Sequence, residues 1–520
     1  MTTIRLQTNQ NRLIANLRHA FNQSSMLGEL LQNARRAQAS AIHFTVDDSS
    51  LTIRDNGSGI ANLQTLIHIA ESGWDEKTQT CENAFGMGVL STLYFAERLT
   101  VRSGGKAFSA ATVDIIRGEP IQVIPWDLVE GTEIRLDGIQ PTQPGETLSV
   151  WAERLLRTLC EAFPVPIWLN GHAVLRPLAD PALQWRETPM GQILLDLSAS
   201  RTQWRCFLQG LPIGRSPSTC RHHVVQLPNN TLARLPDRQH LLNEAEDHKR
   251  IQVAIDSAFR QALIETKERL STSDFIVHYA RICMDSSNAD LLNDVPFVPR
   301  AWFRSWALEP SGFRRYWDRH LAEGIVAREV LEETGAWRIE SDGDDAPTAE
   351  VYLEARKAFL LDESGIDAGH WLLGLVRPIT PEEVQVRPGA ILHHDASLCL
   401  ADYEVELTLA DGLNVCIEGE PDVAVGAIRK GVTLFLTADA GGATALVSDY
   451  IFDDRYDEDR EDEDGRTIDT FIAVGCSQSP AGVVQALLPV TLRYAMQPRL
   501  AGAVVHLTFD AEGRLAAVTA

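Results

Sequence analysis

Basic residues are scarce in this 520-residue chain: 47 Lys and Arg stand against 71 Asp and Glu, a formal net charge of −24. Phosphate backbones are gripped by clustered Lys and Arg, so broad, sequence-independent nucleic-acid binding is disfavoured. Long apolar runs are also missing. No window approaches the roughly 20 apolar residues that a membrane helix needs, and the polar first 16 residues lack the apolar segment of a secretory leader. The expected compartment is the cytoplasm, with no membrane partner. The eight cysteines form no CxxC pair, which argues against a zinc ribbon or a disulfide framework. There is no GxxxxGK[ST] run, so a P-loop is excluded; Gly104-Gly105-Lys106 lacks both the spacing and the following hydroxyl.

What is present is ordinary globular composition, 44% hydrophobic, 23% charged and 7% aromatic. The length predicts two to four domains of roughly 100 to 200 residues. Ser24-Ser25 ahead of Met26, Leu27, Leu30, Leu31 and Ala34 predicts a helix over 26–38. Short β-prone runs at 41–46 and 51–54 around a polar turn predict a hairpin ending at Asp55. Helices at 62–70 and 88–97 and strands near 99–102, 107–115, 121–125 and 132–136 complete an α/β sandwich over 1–140. A Pro-rich linker at 140–144 precedes a second α/β domain, 145–270, closed by a long helix over 238–269. A helical segment is expected at 271–345, with Trp302, Trp306 and Trp317 packing, then a mostly β domain at 346–520. Residues 453–464 hold nine acids and two arginines, a composition expected of a mobile surface loop. The whole is therefore α+β.

Four separated elements carry chemistry. Glu29 and Asn33, four residues apart on one helix, project together as a general base beside a metal ligand. Asp55-Asn56-Gly57-Ser58-Gly59 is an acid at a strand end followed by glycines that let backbone approach a flat ligand; the acid can accept from an adenine amino group. Asn83-Ala84-Phe85-Gly86-Met87-Gly88 is a Gly-rich turn entering a helix, whose free N–H groups attract phosphate. Gly131-Thr132 opens a strand with a hydroxyl. Any one of these alone is an ordinary surface feature. His222-His223 and His393-His394-Asp395 lack the completing ligands of a metal site.

In this order the elements resemble the N box, the two glycine boxes and the final Gly-Thr of GHKL ATPases, the superfamily of gyrase, the ninety-kilodalton heat-shock chaperone, histidine kinases and MutL. Residues 69–73, 85–88 and 96–101 are most similar to the chaperone. Leu227-Pro228-Asn229-Asn230 with Arg234 and Arg238 resembles its middle segment, where an arginine reaches the γ-phosphate; Arg238 is the first candidate and Arg234 the second. The resemblance implies a Bergerat-type ATP-binding domain followed by a transducer-like one. It implies that Asn33 holds Mg²⁺, that Asp55, Gly57, Gly59 and Thr132 meet the base, and that Phe85, Gly86, Met87 and Gly88 cradle the phosphates, with Lys77 a further phosphate contact. Glu29 orients or deprotonates the attacking water. One position departs from the family: Arg36 stands where an acid is usual, three residues after Asn33.

The expected function is an ATP-driven, chaperone-like clamp with slow hydrolysis to ADP, a protein client and a homodimer closed by ATP. The alternatives are a DNA-processing ATPase of MutL or topoisomerase type, using the eight Lys and Arg of residues 201–250, and a nucleotide sensor without turnover. A histidine kinase would need a long phosphoacceptor helix ahead of the ATP domain, and the stretch around His19 is too short.

Overall fold

The structure, a computed structural model, describes residues 14, 16, 18–68, 74, 88–214, 216–235, 238–304, 323–340, 346–440 and 443–520. The chain divides into two compact units, Met1–Arg269 and Leu270–Ala520.

The first unit opens with α1 (Gln23–Arg36). Its cap is Asn22, one turn before the Met26 at which the sequence pattern placed the start: Asn22 Oδ1 accepts from the Ser25 N–H at 2.7 Å and Ser25 Oγ accepts from the Asn22 N–H at 2.9 Å. This reciprocal pair satisfies two donors that a helix start otherwise leaves orphaned. Met26, Leu27 and Leu31 are fully buried, each contributing roughly 2 kcal/mol by leaving water.

Beneath α1 lies an eight-stranded sheet built from β1 (Ile42–Val46), β2 (Ser50–Asp55), β3 (Arg98–Ser103), β4 (Lys106–Ala111), β5 (Ile124–Pro125), β6 (Thr132–Asp137), β7 (Ile167–Leu169) and β8 (His172–Ala173), in the order β5-β4-β3-β6-β2-β1-β7-β8. Only β1 and β7 pair in parallel. The sheet therefore takes in strands on both sides of the expected linker at 140–144. Period-two alternation decides its faces. Leu51 and Ile53, Leu99 and Val101, and Ile134 and Leu136 all turn into one core with α1 and with α4 (Leu148–Leu159). The opposite face carries charge, such as Arg102 bonded to Glu133 at 2.6 Å.

Several expected elements are shorter. Residues 107–115 split into β4 and the helix α3 (Thr112–Arg117), and the described part of 62–70, residues 62–68, holds the 3-10 turn Leu63–Ile67. Residues 88–97 form a 3-10 turn, Gly88–Ser91, and α2 (Thr92–Phe95). The second sheet, order β12-β11-β13-β10-β9, uses β9 (Arg186–Thr188), β10 (Gly191–Leu194), β11 (Trp204–Leu208), β12 (Leu211–Ile213) and β13 (His223–Leu227). It packs Ile193, Cys206 and Val225 against Ile251 and Ile255 of α5 (Glu244–Arg269). That helix begins at Glu244 rather than 238: Glu244, Glu246 and Asp247 suit a positive helix start, while Arg238 sits at φ +53, outside helical geometry.

The second unit is mixed. The expected helical segment holds the helix Thr272–Asp285, but Phe297–Pro299 pairs with Ile325–Ala327 and Ala336–Ile339 joins a three-stranded sheet. Short apolar runs flanked by Pro and Gly form strands there, a reading that helical spacing overlooks. Trp302 is buried, while Trp306 and Trp317 lie outside the described residues. Further on, strands dominate, including Tyr403–Ala410 and Thr433–Leu436 in a four-stranded sheet. The acidic run is corrected: from Glu458 it is part of the helix Glu458–Cys476, capped by Asp457. Acids in a first turn complement the helix dipole, and Asp464 turns inward to accept from the Ala401 N–H at 2.7 Å and from the Tyr450 hydroxyl at 2.8 Å.

Candidate nucleotide site

The inward alternation that fills the first core ends in polar residues at one edge of the sheet. Asp55 closes β2 opposite Thr132 of β6, and Ser103 closes β3 opposite the same threonine. All three are buried. Ser103 Oγ donates to the Gly131 carbonyl at 2.8 Å, accepts from the Ile60 N–H at 2.8 Å and lies 3.3 Å from Thr132 Oγ1. One hydroxyl thus ties the turn after β2 to the start of β6. Neither Ser103 nor this role is visible in the sequence until the pairing of β3 with β6 is known.

Glycines of this turn and at the start of β6 permit close approach. A Cβ on Gly57 would lie 2.6 Å from the Ala37 carbonyl oxygen, and one on Gly131, at φ +71, would lie 2.0 Å from the Asp55 carbonyl oxygen. Gly59 takes φ +70. Asn56, unremarkable in sequence, accepts from the N–H groups of Ser40 and Ala41 at 2.9 and 3.0 Å, pinning the turn to the exit of α1. Asp55 Oδ1 accepts from the Gly57 N–H at 2.8 Å. Burial raises the Asp55 pKa above the ordinary carboxylate range, opposed by the N–H groups of Gly57 and Thr132.

On α1, Glu29 is buried and Asn33 is half-buried one turn on. Glu29 Oε1 meets Arg238 Nε at 3.4 Å. Arg238 comes from the loop between β13 and α5, which is held by a bridge between Ala233 and Leu241 and by Gln239 Nε2 donating to Asn22 Oδ1 at 3.2 Å. The β11–β12 turn supports the same helix: Gln32 Nε2 donates to the Gln209 carbonyl at 3.4 Å and Arg35 Nη2 to Gln209 Oε1 at 3.3 Å. Arg234, the second candidate, is exposed. Arg36 Nη1 donates to Asn33 Oδ1 at 3.5 Å. Gly88 opens the 3-10 turn Gly88–Ser91, whereas Lys77, Phe85, Gly86 and Met87 lie outside the described residues.

The structure therefore brings Asp55, Gly57, Gly59 and Thr132 together at one sheet edge, and separately pairs Glu29 with Arg238. Residues 21–128 match the family described as Histidine kinase-, DNA gyrase B-, and HSP90-like ATPase. This is a GHKL-type ATPase domain. The family description embraces kinases, gyrases and chaperones alike, so it does not choose among them. Among solved structures, the chain is similar to the ATPase region of Saccharomyces cerevisiae topoisomerase II, at 12% identity and a TM-score of 0.32, over 43% of this chain and 78% of that one. No curated protein matches the chain in sequence.

The remaining histidine motifs do other work. His223 is buried beside Phe259, and burial lowers its pKa to about 4; His393 stacks on Phe471 and His394 Nδ1 lies 3.0 Å from Thr408 Oγ1. Among the described residues no group of three His, Cys, Asp or Glu is placed to hold a metal, and none of the helices is long and apolar enough to cross a membrane.

Proposed function

We propose that the ATPase domain binds ATP with its base at the Asp55–Thr132 edge, hydrolyses it slowly, and uses the nucleotide to move the second sheet relative to the first. The reading rests on one observation: Glu29, the candidate base for the attacking water, is held by Arg238 from the loop after β13. A γ-phosphate would compete with Glu29 for that guanidinium, because charge-assisted pairing with phosphate is strong and bidentate. Arg238 would then neutralise developing charge while Glu29 turned to water, the division of labour that phosphoryl transfer needs. The loop carrying Arg238 joins β13 to α5, so its movement is passed to the second sheet.

The same mechanism serves a chaperone-like clamp closing as a dimer on a protein client, which is the biological role we favour. Charge supports a protein partner over DNA. Of the basic residues at 201–250, Arg201, Arg205, Arg221, Arg238 and Arg250 all face carboxylates within 4 Å, which removes much of the positive field a DNA channel needs.

The test is ATP binding and steady-state turnover for the wild type, Glu29→Ala and Asp55→Asn. Binding lost at Asp55→Asn, with turnover but not binding lost at Glu29→Ala, is the expected result; no binding by the wild type would sink the proposal. A salt-dependent shift of duplex DNA by the full chain would instead favour the DNA-processing type.

A further inference from the structure

Glu29 and Asn33 share one face of α1, and both oxygen-bearing side chains meet a guanidinium. Glu29 Oε1 lies 3.4 Å from Arg238 Nε, and Asn33 Oδ1 lies 3.5 Å from Arg36 Nη1. A magnesium ion on Asn33 would have to bind that same oxygen at about 2.1 Å, beside the positive charge of the guanidinium. Arg36 is half-buried on the last turn of α1, where repulsion between a fixed cation and a dication is less screened than in water. As arranged, the residues present do not fit a magnesium ion.

We propose that this domain takes adenosine nucleotide without a divalent cation, with Arg36 as the residue that sets this preference. Its guanidinium occupies Asn33 and supplies positive charge from the protein that an ion otherwise brings with the nucleotide. The inference rests on the ATP reading above. A purely structural role for Arg36, as a cation at a helix C-terminus, would change stability on substitution and leave the metal dependence of binding untouched.

The experiment is isothermal titration of the full-length protein with ATP, in magnesium chloride and in EDTA, for wild type, Arg36→Lys and Arg36→Asp. Wild type and Arg36→Lys should bind within about threefold in the two buffers, while Arg36→Asp should weaken by about tenfold or more in EDTA relative to magnesium. A wild type that itself loses tenfold or more in EDTA overturns the inference and leaves the ATP reading standing. Absence of binding in both buffers overturns both. If Arg36→Asp does not fold by circular dichroism, the wild-type comparison alone decides.

Discussion

Arg238 Nε and Glu29 Oε1 stand 3.4 Å apart, with side chains 15% and 8% exposed. The pair joins α1 of the first sheet to the loop that follows β13 of the second. On the proposed reading a bound nucleotide would compete for both partners, Glu29 for water and Arg238 for phosphate.

A double-mutant cycle on this pair measures that coupling. With most solvent excluded, we expect Glu29→Ala and Arg238→Ala to be non-additive by about 1 kcal/mol in urea unfolding. Saturating ATP should shrink the coupling, because the nucleotide takes Arg238. Additivity without ATP would make the contact incidental.

Two glycines of similar backbone, Gly131 just before β6 and Gly118 at the end of α3, give a contrast. Gly131 and Gly118 have φ +71 and +78, but a Cβ at 131 would collide with the Asp55 carbonyl at 2.0 Å while one at 118 meets nothing within 4 Å. Gly118→Ala should cost about 1 kcal/mol, the penalty for a left-handed residue. Gly131→Ala adds a backbone clash that cannot relax without moving β2 from β6, so we expect about 3 kcal/mol or more and loss of ATP binding. Equal costs would show that the approach of these backbones is slack.

The placement of several of these residues together was legible in the sequence, for identifiable reasons. Asp55, Gly57, Gly59 and Thr132 announce themselves because a strand-end acid, close-approach glycines and a Gly-Thr opening are each local signals. Glu29 and Asn33 share a face by helical spacing alone. Ser103 and Asn56 stayed hidden: their roles depend on β3 pairing with β6 and on the exit of α1 passing over the turn, relationships between distant segments that no local pattern encodes. The acidic run at 453–464 misled for a related reason. Its composition predicts self-repulsion, but Asp457 caps the helix and Asp464 accepts hydrogen bonds from two donors elsewhere in the chain.

That last arrangement sets up a stability test in the second unit. Asp464 is 7% exposed and carries bonds from Ala401 N–H and Tyr450 hydroxyl; burial, then Asp464 itself, drives the Tyr450 pKa upward. Asp464→Ala strands both donors, and we expect a loss of about 3 kcal/mol. Asp459, exposed in the first turn of the same helix, should change stability by less than about 1 kcal/mol on substitution by Ala. Thermal melts of the two variants compare a built carboxylate site with a solvated one, and equal effects would contradict the burial of Asp464.

Asp55 gives the final prediction, in pH. Burial, only partly offset by the N–H groups of Gly57 and Thr132, holds its carboxyl above the ordinary range. The folded protein therefore binds this proton more tightly than the unfolded chain, and the associated stability is fully present below the unfolded value and lost as pH rises through the raised folded one. Asp55→Asn has no such titration, so the stability of wild type relative to the variant should fall as pH is raised through that window. ATP should act in the opposite sense: an ionised carboxylate accepts from the adenine amino group better than a protonated one, so wild-type affinity should weaken as pH drops through the raised value. Urea melts and ATP titrations at matched pH values read both. A pH-independent difference between wild type and Asp55→Asn would mean that the carboxyl titrates alike in folded and unfolded chains, and that burial at this edge of the sheet is too loose to select a base.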